Sequence, residues 1–117
     1  MEYLVKRYQY IARAVKKDLS EAVFYVGNRK NRIPITEEVK TVFEIINLVY
    51  KEEEDTLMRR MMKGIMTGEK DRYIMRQIHY GKNAYYPRKN AFMDKLFNLC
   101  IYRKLVSFDE ILKSTIM

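Results

Sequence analysis

A helical apolar repeat that stops at Tyr80-Gly81-Lys82-Asn83 and restarts beyond it most restricts how this chain can fold. Within Gly68–Leu96, Ile74, Ile78 and the flanking Met75 line one side of a segment whose other side carries Lys70, Arg72, Arg76 and Gln77. Gly81 and Asn83 tolerate left-handed or capping geometry, so the spacing predicts a turn there. Phe92, Leu96, Leu99 and Cys100 then resume the helical spacing, with Lys82, Arg88, Lys89, Asn90 and Lys95 supplying donors elsewhere. Helix, tight turn and a second helix rich in Arg, Lys and Asn describe a helix-turn-helix over about residues 69–100.

Those side chains suit double-stranded DNA. Arg and Lys donate to guanine O6 and N7 in the major groove, and Asn pairs with adenine. Tyr85 and Tyr86 can reach phosphates through their hydroxyls or stack on sugars and methyl groups. Arg76, Lys82, Arg88 and Lys89 are candidate phosphate contacts. Arg88 and Asn90, just beyond Pro87 near the start of the second helix, are the expected base readers. Lys95 lies two turns deeper and is expected to grip phosphate; failing Arg88 and Asn90, recognition falls to Lys82, Asn83 or Tyr85.

Charge supports the same partner. The chain carries a formal net charge of +8 and a pI near 9.6, which favours a polyanion. Residues 1–33 hold eight basic and three acidic side chains, residues 34–57 two and seven, and residues 58–117 thirteen and five. The acidic middle is therefore expected to face away from phosphate.

In chain order, residues 3–25 read as one long amphipathic helix, with Leu4, Tyr8, Ile11, Ala12, Val15, Leu19, Ala22 and Val23 on its apolar side. Residues 26–35 read as a linker broken by Gly27, Asn28, Asn31 and Pro34, in which Arg29, Lys30 and Arg32, with Lys17, could lie along a phosphate backbone or simply be solvated. Thr36 should cap a helix with Glu37 and Glu38 in its first turn. Lys51–Asp55 should be a junction, Asp55 or Thr56 the next cap, and Leu57 to Met66 a Met-rich helix ending near Gly68. The stretch from Asn98 to Val106 either extends the second helix of the motif or ends it near Arg103. Ser107-Phe108-Asp109-Glu110 matches a capping box that would open a short final helix. The expected architecture is all-α, with five or six helices. An N-terminal helix and basic linker (1–33) precede a helical domain (34–117). Val42, Ile46, Leu57, Ile65, Ile74, Ile78, Phe92, Leu96 and Leu99 are expected in the core.

Other chemistries find little support. Cys100 is the single cysteine, on an apolar face, and neither a CxxC pair nor a histidine cluster offers a metal site. His79, the only histidine, has no nucleophile or carboxylate constellation beside it. No enzyme activity and no cofactor is expected. A signal-peptide pattern and an apolar run of about 18 residues are both lacking, so no membrane partner and a cytoplasmic location are expected.

Ile78 to Phe92, IHYGKNAYYPRKNAF, resembles the C-terminal half of phage late-gene transcriptional regulators of the ArpU and RinA type. Those proteins are similar to sigma-factor region four. Tyr85-Tyr86 matches their aromatic pair, Arg88, Lys89 and Asn90 their polar recognition positions, and Phe92 and Leu96 their packing positions. Ile45 to Tyr50 resembles the helix that precedes their motif, and the similarity spans roughly residues 36–100. It implies a DNA-binding transcriptional regulator of phage or mobile-element type, with RNA polymerase as a further partner and self-association left open. Two positions depart from the pattern: Gly81 stands where a capping Ser is common, and Pro87 falls inside the expected recognition helix. Proline suits only a first turn, so the spacing moves the helix start to between Ala84 and Tyr86. The alternatives are a DNA-packaging protein of the small-terminase kind and a basic protein-interaction module.

Overall fold

The computed structural model describes residues 1–102. Helices α1 (Glu2–Lys6) and α2 (Tyr8–Lys16) lead into an antiparallel ribbon of β1 (Glu21–Val26) and β2 (Arg29–Pro34). Four helices follow: α3 (Glu37–Glu52), α4 (Thr56–Met66), α5 (Asp71–Ile78) and α6 (Lys82–Tyr102). The expected final helix opened by Ser107 lies outside the described residues, as does any course of α6 beyond Tyr102.

The fold is mainly helical but not all-α, because residues 3–25 do not form one helix. The first break is at Arg7, whose guanidinium lies 5.0 Å from the centroids of both the Tyr3 and Phe24 rings. It lets Val5 enter one apolar cluster while Ile11 and Ala14 enter another. The second comes after Lys16, where Asp18 takes a left-handed φ of 54° and Leu19 N–H donates to the Ala14 carbonyl at 2.9 Å. Burial then switches to a period of two. Ala22 and Phe24 are buried, whereas Leu19 and Val23, expected on a helical stripe, are 50% and 39% exposed. Nor is residues 26–35 an unstructured linker: Ala22 pairs with Ile33 and Phe24 with Asn31 around a turn at Gly27, φ +61°, the first of two turn residues. A left-handed first turn residue followed by Asn is a hairpin signal. One ribbon face thus covers Ile11 and Ala14, and Tyr10 stacks on Phe24 with centroids 5.1 Å apart.

Helices α3 and α4 start where their caps place them. Thr36 Oγ1 accepts from Val39 N–H at 3.2 Å, and Asp55 Oδ1 from Met58 N–H at 2.9 Å. Arg59 closes the acidic junction by donating to the Tyr50 and Glu53 carbonyls at 3.0 and 3.1 Å. The main core gathers Val42, Ile45, Ile46 and Val49 of α3, Met61, Met62, Ile65 and Met66 of α4, Ile74 and Ile78 of α5, and the inner face of α6. Leu57, expected inside, is 43% exposed, and Leu99 is half-buried. Packing runs across position 34: Val5 belongs to the main cluster, while Val39 and Phe43 lean on the ribbon cluster.

The turn before α6 also differs from expectation. His79, not Gly81, is the left-handed residue (φ 58°), and Tyr80 N–H reaches back to the Met75 carbonyl at 3.0 Å. The Gly81 carbonyl accepts from Ala84 and Tyr85, so α6 starts at Lys82 and contains Pro87 in its second turn rather than starting late. The proline removes the helical hydrogen bond to the Asn83 carbonyl, and Asn83 is exposed, so water can take its place.

Gly64 marks the closest approach of α4 to α5: a Cβ there would sit 2.8 Å from Ile74 Cγ1 and 2.8 Å from Glu69 Oε2. Gly64→Ala is expected to lower unfolding free energy by about 1–2 kcal/mol, overpacking outweighing alanine's better helix propensity. Urea unfolding checks this; a variant as stable as the parent would mean the two helices are not in contact there.

Candidate nucleic-acid interface

Helix α6 buries one stripe, Tyr85, Lys89, Phe92, Leu96 and Cys100, recurring every three or four residues. Two expected DNA contacts, Tyr85 and Lys89, therefore lie inside rather than on the surface. The Tyr85 hydroxyl donates to Asp71 Oδ1 at 2.7 Å. The Lys89 ammonium, its side chain only 5% exposed, donates to both Asp71 oxygens at 2.9 and 3.0 Å and lies 3.1 Å from Glu2 Oε1. A lysine is tolerated at such a site because its charge is paired and its donors are used.

Burial works against the Lys89 charge, but its hydrogen bonds to Asp71 and Glu2 outweigh it and hold its pKa above the usual lysine value. Asp71 is likewise penalised by burial yet ends below the usual carboxylate range, through its bonds from Lys89 and Tyr85. The Lys89 bond also lowers Glu2. Burial, and donation to Asp71, push the Tyr85 hydroxyl well above an ordinary tyrosine.

The other expected contacts are exposed: Arg76, Lys82, Asn83, Tyr86, Arg88, Asn90 and Lys95. Among the described residues, none of the four cations in this set has a carboxylate within ion-pair distance. They do not share one face, however. Arg88 and Asn90 are separated by about 200° around the helix axis, so one groove floor cannot meet both. Arg88 also folds back, donating to the Ala84 carbonyl at 2.8 Å with its guanidinium 5.0 Å from the centroid of the Tyr80 ring. The exposed residues opposite the buried stripe, within about 60° of the outward direction, are Asn83, Pro87, Asn90, Ala91, Asp94, Asn98 and Tyr102. Arg88 and Lys95 flank that ridge on one side, Tyr86 and the 54%-exposed Phe97 on the other.

Helix α5 adds a cationic cleft of about 210 Å³ lined by Lys70, Arg72, Tyr73 and Arg76. Of these, only Arg76 was a candidate from the sequence; Lys70 and Arg72 share its exposure, a signal present in the same polar face. Asp71, the carboxylate that holds Tyr85 and Lys89, was not singled out at all. Chemically the surface offers Asn donors and acceptors and the Asp94 carboxylate in the middle, cations along one margin and aromatic rings along the other. Among the described residues no group of three or more His, Cys, Asp or Glu could hold a metal ion, and no helix is long and apolar enough to cross a membrane.

The depressed Asp71 and Glu2 carboxyls fix the sign of the acid response. Their contribution is fully present above the ordinary values of 3.8 and 4.5, and is lost as pH falls through the lower folded values. Asp71→Asn is expected to cost about 1–2 kcal/mol at neutral pH and to flatten the loss of stability in acid. Denaturant unfolding from neutral to acidic pH reads both; a variant with the parent's stability and acid slope would show that Lys89 does not depend on Asp71. Comparison of the chain with known protein families, curated proteins and solved structures finds no match.

Proposed function

We propose that this chain is a sequence-specific DNA-binding regulator that uses α5, the turn at His79–Gly81 and α6 as a helix-turn-helix, with α6 in the major groove. The observation that carries the reading is the outward ridge of α6, where Asn83, Asn90 and Asn98 project beside a margin that carries Arg88 and Lys95. Asparagine pairs with adenine N6 and N7, and Asp94 can accept from cytosine N4. Lys82, at the first position of α6, and Lys95 on its flank meet phosphates, while the α5 cleft at Lys70, Arg72 and Arg76 crosses the backbone. The resemblance to phage late-gene regulators extends the proposal to transcription control in a phage or mobile-element setting, with RNA polymerase as a second partner.

Under this proposal the expected roles are redistributed. Asn90 and Asn83 take the base edges, and Arg88, tied to Ala84 and Tyr80, braces the first turns of α6. Binding-site selection from a random duplex pool, then competition with single-base variants of the selected site, tests this. Asn90→Ala is expected to relax selectivity at one base pair by about 1–3 kcal/mol, while Lys95→Ala weakens all sequences alike. If Asn90→Ala keeps the parent's ranking of variants, α6 does not read bases through its outward ridge.

A further inference from the structure

We propose that the tip of the β1–β2 ribbon is a second DNA contact, gripping the phosphate backbone beside the segment met by α6. This rests on the DNA-binding reading above and goes beyond it, since that reading uses only α5 and α6.

The ribbon is anchored at its base, where Ala22, Phe24 and Ile33 are buried, and its tip stands clear: apart from half-buried Asn31, every residue from Tyr25 to Arg32 is exposed. That tip carries Arg29, Lys30 and Arg32 and no acid. Glu21 lies at the base and pairs with Arg32 at 3.6 Å. Among the described residues, Arg29 and Lys30 have no carboxylate within ion-pair distance. Lys30 and Arg32 point to the same face, about 7 Å apart along the strand, but Glu21 partners only Arg32, so Lys30, like Arg29 at the turn, lacks a counter-charge among the described residues. A phosphate backbone supplies that counter-charge at regular spacing. Tyr25, 64% exposed and directly across from Lys30, adds a hydroxyl and a ring suited to phosphate and sugar.

Position joins charge in the argument. Neighbouring residues of α1 touch the inner sides of both elements: Glu2 reaches Lys89 of α6 at 3.1 Å, and Tyr3 packs on Phe24 of β1 with centroids 6.5 Å apart. The ribbon base and the second turn of α6 therefore both adjoin one short helix, which holds them in a fixed relation.

The experiment measures the salt dependence of binding to a random-sequence duplex pool for the parent chain and for R29Q/K30Q, with K51Q/K63Q, two exposed lysines of α3 and α4, as the control. Removing two phosphate contacts is expected to reduce the log–log salt slope by roughly two units, about 0.9 each, with the ranking of site variants unchanged and the control slope equal to the parent's. The single variants R29Q and K30Q, each expected to lower the slope by about one unit, carry the test if the double variant does not fold. A parent that binds with a slope shared by the ribbon variants overturns this proposal and leaves the α6 reading standing. So does a control that falls as far, since the effect is then one of net charge. A parent that binds no duplex at low salt overturns both.

Discussion

The ammonium of Lys89, held between Asp71 and Glu2 beneath α6, is the interaction on which the arrangement depends. Asp71 begins α5, Glu2 begins α1, and Lys89 lies in the second turn of α6, so one charge joins three elements distant in sequence. Tyr85 adds a bond to the same carboxylate one turn earlier. A buried charge of this kind contributes less to net stability than an apolar side chain of the same size would, but it has one acceptable partner geometry. Shifting α6 by a residue would leave the ammonium without its acceptors, a cost of several kcal/mol. The pairing therefore fixes which face of α6 turns inward.

Everything on the outer surface follows from that choice. With Tyr85 and Lys89 facing in, the ridge of Asn83, Asn90, Asp94 and Asn98 faces out, with Arg88 and Lys95 along one margin. The same pairing draws α1 against α6, and Tyr3 of α1 then brings the ribbon base alongside. The break at Arg7 makes this possible, since a continuous helix would hold Val5 and Ile11 on faces that a single core could not use together.

Four helices, α3 to α6, were legible in the sequence because their apolar repeats are long and their caps are local: Thr36 and Asp55 bond backbone groups three residues away. The ribbon was not. Ala22 and Val23 suit the end of a helical stripe as well as an alternating strand, and only the burial of Phe24 against Tyr10 and of Ile33 beside Ala22, contacts between distant residues, decides the matter. The Gly27-Asn28 pair is a hairpin signal, but Asn31 and Pro34 close by let the same stretch read as a linker. At the candidate interface the residue types were readable and their directions less so. Lys89 sits four residues after Tyr85 and three before Phe92, on the apolar stripe by simple phase, yet its charge argued for the surface. Its partners, Asp71 and Glu2, are separated from it in sequence and leave no local mark.

The division of α6 into an inner structural lysine and outer ones proposed to meet phosphate is tested most directly by NMR of the lysine ammonium groups during titration with the selected duplex. The account predicts that Lys89 gives a signal protected from water exchange that stays in place at saturation, while those of Lys82 and Lys95 shift. A Lys89 signal that moves with bound DNA while Lys82 and Lys95 stay fixed would contradict it.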